Sequence, residues 1–192
     1  MVNINKPKLT LLQQDILRLL YIKAGLSLNQ NNIARYLKVS PPAVMKALPK
    51  LKDENFIIIR QDKNSKRWSI ELNQDNKKVI ELKRADNLKQ IYESKLSDHL
   101  EQLFAGNLII LYGSYSRGED TLIYDNEEHS SDIDIAIIGI NKNHEELDEF
   151  IEYEKILERK IHIIFFKSFK DIHDDLKNNI LNGIILSGSV EL

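Results

Sequence analysis

Leu108-Ile109-Ile110-Leu111-Tyr112-Gly113-Ser114 and Asp132-Ile133-Asp134-Ile135-Ala136-Ile137-Ile138 are the two stretches on which the reading of this chain turns. The first is an apolar run that stops at Gly-Ser. The second is an apolar run that starts at Asp-x-Asp. Side chains alternate along a strand, so Asp132 and Asp134 point their carboxylates to one face. Two hard oxygen ligands side by side suit Mg²⁺, which keeps some waters and shares substrate phosphates. A strand running into Gly113-Ser114 can offer backbone N–H groups and a hydroxyl to a phosphate. Together the two stretches form half of a phosphoryl- or nucleotidyl-transfer site.

Outward from that pair, further elements follow the same logic. Lys160 to Phe166 predicts a third strand and Gly183-Ile184-Ile185-Leu186 a last short one. Glu145 to Leu157 reads as an acidic amphipathic helix and Phe169 to Leu181 as a final helix. The loop from Glu119 to Ser131 is polar, and 122–129 reads as an insertion. Upstream, Asn73 to Glu93 is a polar linker helix without Gly or Pro, followed by a helix from Ser97 to Phe104.

Charge divides the chain. Residues 1–72 carry 13 Lys+Arg against 5 Asp+Glu, a balance of +8; residues 73–192 carry 14 against 24, a balance of −10. A basic front and an acidic back predict two domains with different partners. The front half is drawn to a polyanion. The back half is not, unless divalent metal neutralises it. There are no cysteines, which excludes disulfides and cysteine zinc sites. No apolar run reaches the roughly 18 residues of a membrane span, and Met1 to Leu9 has no signal-peptide core. A cytoplasmic protein without membrane association is expected.

In the basic half, Leu11, Leu12, Ile16, Leu19 and Leu20 mark a first helix, and Ile33, Ala34 and Leu37 a second. Lys38-Val39 is a tight connection. Ser40 is a good N-cap with Pro41 at the first helical position. Val44, Leu48 and Leu51 line a third helix, in which Pro49 should produce a kink or an early end. Two β-rich runs, Phe56 to Ile59 and Arg67 to Leu72, flank a polar turn. Helix, helix, turn, helix, hairpin is the order of a winged helix-turn-helix over residues 8–73. Ile33-Ala34-Arg35-Tyr36-Leu37-Lys38-Val39-Ser40 resembles the turn region of MarR- and ArsR-like regulators. In such a fold the third helix enters the major groove and the hairpin meets the backbone. Ser40, Lys46, Lys50, Lys63, Lys66 and Arg67 are therefore the candidate contacts to double-stranded DNA. The competing reading is a solvated lysine face on a protein-interaction module. No Arg, Asn or Gln lies in the first two turns of the third helix, so phosphate contacts should dominate over base readout. A long helix after a winged domain suggests a homodimer.

Gly113-Ser114-Tyr115-Ser116-Arg117-Gly118 and Ser131-Asp132-Ile133-Asp134-Ile135-Ala136 resemble the motifs of the minimal nucleotidyltransferases of the polymerase-β superfamily, over residues 97–192. Asn179 to Leu186 resembles that family's ending. The fold class implied for the whole chain is α+β: a winged helix domain at 1–73, a linker helix at 74–96 and a nucleotidyltransferase-like mixed sheet at 97–192. The resemblance implies that Asp132 and Asp134 hold two Mg²⁺ ions, that Gly113 and Ser114 hold the β- and γ-phosphates of an NTP, and that Arg117 neutralises phosphate. For Arg117 the open alternative is a salt bridge with Glu119 or Asp120. Active family members carry a third carboxylate on the next strand, and the matching position here is His162. Histidine cannot both ligate a hard metal as a carboxylate does and take the acceptor's proton in the same way. Either the domain binds nucleotide and transfers poorly, or His162 acts as the catalytic base, or it is a locally bonded strand histidine.

The leading expectation is a DNA-binding transcriptional regulator whose C-terminal domain binds nucleotide and Mg²⁺ and is degenerate in catalysis. Two others stay open. One is an active nucleotidyltransferase that moves NMP from NTP to a protein or small molecule. The other is an antitoxin-type protein partner of a HEPN toxin.

Overall fold

The computed structural model describes residues 9–61, 68–122, 130–140 and 148–190. The chain forms two compact units, residues 1–79 and 80–192.

The first unit is built from locally capped helices. Helix α1 (Leu11–Ile22) opens with a reciprocal capping box: Gln13 N donates to Thr10 Oγ1 at 3.3 Å and Thr10 N to Gln13 Oε1 at 2.9 Å. Asn29 and Asn32 repeat the arrangement at α2 (Gln30–Leu37), which satisfies N–H groups that a helix start leaves without partners. Lys38, at φ 54°, turns the chain. Helix α3 (Pro41–Asp53) starts at Ser40, whose hydroxyl accepts from Ala43 N at 3.3 Å. Pro49 does not shorten α3, contrary to the sequence expectation. Its missing N–H removes one bond, while Val44, Leu48 and Leu51 bury on both sides of it and hold the helix through Asp53. Strands β1 (Ile57–Gln61) and β2 (Trp68–Leu72) form the antiparallel hairpin, with Ile59 opposite Ile70. Leu28 and Ile70 exchange two backbone hydrogen bonds, of 3.0 and 2.8 Å, which tie the hairpin to the helices.

Helix α4 (Lys77–Glu93) starts in the first unit, where Val79 joins its core, and continues in the second, where Ile91 is buried. The second unit then runs α5 (Leu96–Leu103), β3 (Leu108–Tyr112), α6 (Gly113–Arg117), β4 (Ile133–Ile138), α7 (Ile151–Leu157), β5 (Ile161–Phe166), α8 (Asp174–Leu181) and β6 (Ile184–Ser187). The sheet order is β5-β4-β3-β6; β4 and β5 are parallel and the other pairs antiparallel. Alternation gives the sheet two apolar faces. Ile109, Leu111, Ile133, Ile135 and Ile163 pack with α4, α5 and α7 residues such as Ile91, Leu100 and Leu157. Ile110, Tyr112, Ala136 and Ile138 pack with Ile172 and with Ile180 of α8. Asp134 alternates onto the face of Ala136 and Ile138, the α8 side, and Asp132 stands just before the strand.

Two expected helices differ. The single helix from Phe169 to Leu181 is broken. Phe169–Asp171 makes one 3₁₀ turn, Ile172 is extended, and α8 starts at Asp174. Leaving the helix lets Ile172 bury with Ile180. In the expected helix from Glu145 to Leu157, the described part begins with a 3₁₀ turn at Asp148–Phe150 that precedes α7; residues 145–147 lie outside the described residues.

A buried ionic cluster fixes the start of the catalytic-type loop. The carboxylate of Asp120 accepts from Lys83 Nζ at 2.6 Å, Asn87 Nδ2 at 2.7 Å and Arg159 Nη2 at 3.0 Å. Lys83 Nζ also donates to the Asp120 carbonyl. Lys83 is fully buried and Asp120 is 1% exposed. Burial lowers the Lys83 pKa, and the charge of Asp120 opposes that shift. Removing one member of such a set leaves a buried charge without compensation, at a cost of about 3–5 kcal/mol. Asp120→Ala should lower unfolding stability by that order in denaturant titration of the full chain, and the paired change Lys83→Met/Asp120→Leu should lower it less. Equal losses in the two variants would show that the ionic cluster is not what holds this region.

Candidate functional site

The site is assembled where β3 ends and β4 begins. Gly113 follows the buried Tyr112 and takes φ +75°, a conformation that disfavours residues with a Cβ. Its lack of a side chain has a second reason. A Cβ at Gly113 would lie 2.1 Å from Asp134 Oδ2 and 3.0 Å from Asp134 Cγ. Glycine therefore lets the Asp134 carboxylate lie against the turn. Ser114 and Ser116 continue the turn into α6, and Ser116 Oγ donates to the Gly113 carbonyl at 2.8 Å. Asn87 donates to the Tyr115 carbonyl at 2.9 Å. Gly118, at φ +75°, lies so close to α4 that a Cβ would meet the Ile80 carbonyl at 2.5 Å. α4 thus holds the segment that follows the Gly-Ser turn, at Tyr115 and at Gly118.

Asp134 is paired in register with Tyr112 on β3 and with His162 on β5. His162 Nδ1 lies 3.6 Å from Asp134 Oδ1, which is charge-pair range and longer than a hydrogen bond. Burial raises the Asp134 pKa; the charge of His162 pulls it down, Asp132 pushes it up and Arg117 pulls it down. Asp132, just before β4, lines a cavity of about 410 Å³ walled in part by Ile151, Lys155 and Lys160. Asp132, Asp134, His162 and the Gly113-Ser114 turn are thus brought together at one rim of the sheet. Among the described residues, no group of three or more His, Asp and Glu sits as a metal cage. Two hard carboxylates on one face and a turn opened by Gly113 fit a divalent cation that shares its remaining positions with phosphate oxygens and water. Asp132 and Asp134 are the residues that would hold it.

Residues 93–187 match the nucleotidyltransferase domain family, and residues 9–68 match the MarR family. The chain joins a MarR-family winged-helix domain to a nucleotidyltransferase domain. MepR, a transcription regulator of the Staphylococcus aureus multidrug efflux pump MepA, is 29% identical over 50% of this chain and 73% of its own, with a TM-score of 0.37. MepR in complex with DNA gives 28%, 50%, 81% and 0.36. The adhesin competence repressor AdcR of Streptococcus pyogenes gives 24%, 51%, 69% and 0.37. With TM-scores this low, the assignment of both domains rests on the family matches. No curated protein matches the chain.

In the nucleotidyltransferase domain, Arg117 pairs with Glu119, Nε to Oε2 at 2.7 Å, and not with Asp120. Asp120 is committed to the buried cluster. Arg117 Nη1 also donates to Asn179 Oδ1 of α8 at 2.9 Å. Sequence reasoning missed Lys83, Asn87, Asp120, Arg159 and Asn179 as supports of the site. No local pattern marks them; Gly118, where a Cβ would meet α4 backbone, is a nearby residue whose type hints at a close approach.

In the winged-helix domain, Ser40 caps α3, and Lys46 and Lys50 share one face of it. Lys46 is exposed and carries no ion pair among the described residues. Lys50 Nζ contacts Glu54 Oε1 at 2.6 Å, which reduces its free charge. Lys63, Lys66 and Arg67 lie outside the described residues.

Burial, with the Asp134 charge beside it, pushes the Tyr112 phenol up to about 12. A phenol whose pKa is raised on folding contributes stability that is full below its ordinary value and is lost as pH rises through the folded value. Wild-type stability should therefore fall between about pH 10 and about 12, and Tyr112→Phe should flatten that part of the curve. Parallel curves for the two proteins would show that Tyr112 does not titrate in the fold.

Proposed function

We propose that this protein is a DNA-binding transcriptional regulator whose nucleotidyltransferase domain binds a nucleoside triphosphate with Mg²⁺ and turns it over poorly. The observation that carries this is the register of β4 and β5. His162 sits beside Asp134, 3.6 Å away, at the place where the family resemblance implies a third carboxylate. The bound cation would supply charge neutralisation for the triphosphate. Everything else falls to the chain. Gly113 and Ser114 receive the outer phosphates, Arg117 offsets their charge from the rim, and Asp132 and Asp134 hold the cation. His162 offers no second anionic oxygen, so the acceptor's proton has no carboxylate to take it. In the winged-helix domain, Lys46 and the exposed face of α3 offer cations to DNA phosphates.

Calorimetry with Mg²⁺ and ATP should give saturable binding to the wild type. Asp132→Ala/Asp134→Ala should lose the Mg²⁺ dependence. Label transfer from α-labelled ATP should be weak in the wild type and should rise in His162→Asp. Robust transfer by the wild type would sink poor turnover and make the enzyme reading primary, with His162 as base.

Full-length protein should shift duplex DNA with a steep salt dependence. Lys46→Ala should weaken binding alike on unrelated sequences and reduce the salt slope by about 1. No binding at low salt would sink the regulator reading.

A further inference from the structure

Arg117 stands at the rim of the site with its guanidinium gripped on two edges. Glu119 Oε2 accepts from Nε at 2.7 Å, and Asn179 Oδ1 accepts from Nη1 at 2.9 Å. The two partners come from different parts of the chain. Glu119 is local, two residues on, whereas Asn179 lies on α8, across 62 residues of sequence. A surface arginine paired with a near neighbour alone is loosely held, because a long side chain loses rotamer entropy on pairing. A second acceptor at the other edge of a planar fork fixes both its position and its plane. The remaining edge is left for another partner, and the charge of Arg117 is already felt by Asp134. α8 packs on the face of Ala136 and Ile138, onto which Asp134 alternates, so its Asn179 reaches the rim from the covered side.

We propose that Asn179 is a positioning residue for triphosphate recognition. It holds Arg117 so that the free edge of the guanidinium meets the β- and γ-phosphates, and the site thereby distinguishes a triphosphate from a monophosphate. This rests on the nucleotide-binding reading given above. A carboxamide suits the role better than a carboxylate would: it accepts from the guanidinium without adding a second negative charge to that of Glu119, already paired with Nε at 2.7 Å.

The test is calorimetric titration of the full chain with ATP and with AMP, each with Mg²⁺. For Asn179→Ala the ATP affinity should fall about tenfold, the size of one hydrogen bond to a charged group, while AMP affinity stays unchanged. Arg117→Ala should give a similar or larger loss of ATP affinity. Asn179→Ala/Arg117→Ala should be no worse than Arg117→Ala alone, because Asn179 acts through that residue. Asn179→Gln keeps the acceptor and should recover part of the ATP preference. An unchanged ratio of ATP to AMP affinity in Asn179→Ala, or losses that add in the double variant, would overturn the positioning role while the nucleotide site stands. A folding defect would lower thermal stability and both affinities together; preserved ATP preference in that setting also counts against the proposal. Absence of ATP binding to the wild type would overturn the nucleotide reading and this inference with it.

Discussion

The carboxylate of Asp120 is the constraint on which the nucleotidyltransferase domain depends. It receives Lys83 and Asn87 from α4 and Arg159 from the turn before β5. Two cations on one buried anion would be costly in a dry interior, since each ion loses hydration that the pair must recover. The geometry repays this with several short hydrogen bonds to one carboxylate, and a further one from Asn87 to the Tyr115 carbonyl. Three pieces of chain remote in sequence are thereby held to one point. The Gly113-Ser114 turn lies six to seven residues before Asp120, and Asn87 also holds the Tyr115 carbonyl beside it at 2.9 Å. Asp132 and Asp134 approach it from β4, which pairs with β3 on one side and β5 on the other. A site for a highly charged ligand needs its groups fixed before the ligand arrives, and this cluster supplies that fixity from below.

The parts that were legible in the sequence are those set by local pattern. Continuous apolar runs placed β3, β4 and β5. Cap residues at Ser40 and the periodic leucines placed the winged-helix helices. Gly113 was legible as a turn residue but not for its deeper reason, the approach of Asp134 Oδ2, because that contact joins residues brought together by strand pairing. The parts that were not legible are those set by tertiary burial. Pro49 carries a strong local signal for ending a helix, and the burial of Leu48 and Leu51 around it overrides that signal. Ile172 interrupts an otherwise periodic segment because a core position beside Ile180 is worth more than continuing the helix. Asp120 looked like a partner for Arg117 because the two are close in sequence, and its true partners are 37 and 39 residues away.

The pairing of Asp134 with His162 follows from register, and register has a sharp consequence. β4 and β5 are parallel, with Ile133, Ile135 and Ile137 set against Ile161, Ile163 and Phe165 on the face packed by α4, α5 and α7. A slip of one residue would send those side chains to the α8 side and carry His162 away from Asp134. The apolar pattern of β5 therefore fixes which residue meets Asp134, and the chain presents an imidazole there. Substituting a carboxylate at 162 would not disturb the pattern, because His162 is more than half exposed at the rim. The chemistry at that position is thus free of the packing around it. That separation would let a domain keep its scaffold, including the glycine that admits Asp134, while differing in the group at 162.

The same separation bears on how binding and turnover divide between residues. In the proposed function, phosphate and cation recognition would draw on Gly113, Ser114, Arg117, Asp132 and Asp134, which lie on or beside β3, α6 and β4. Proton removal from an acceptor draws on β5 alone. Asp134 already bears the strain of burial and of its neighbour Asp132, both of which favour its protonated form. Asp132 and Asp134 would be the residues to hold a divalent cation, whose positive charge would offset both effects. In the proposed function, binding of a cation-bearing nucleotide would then be favoured by the scaffold whatever stands at 162, and a histidine there would lower turnover before affinity. Such a domain would be a nucleotide binder first, which is the property that the proposed regulator would use.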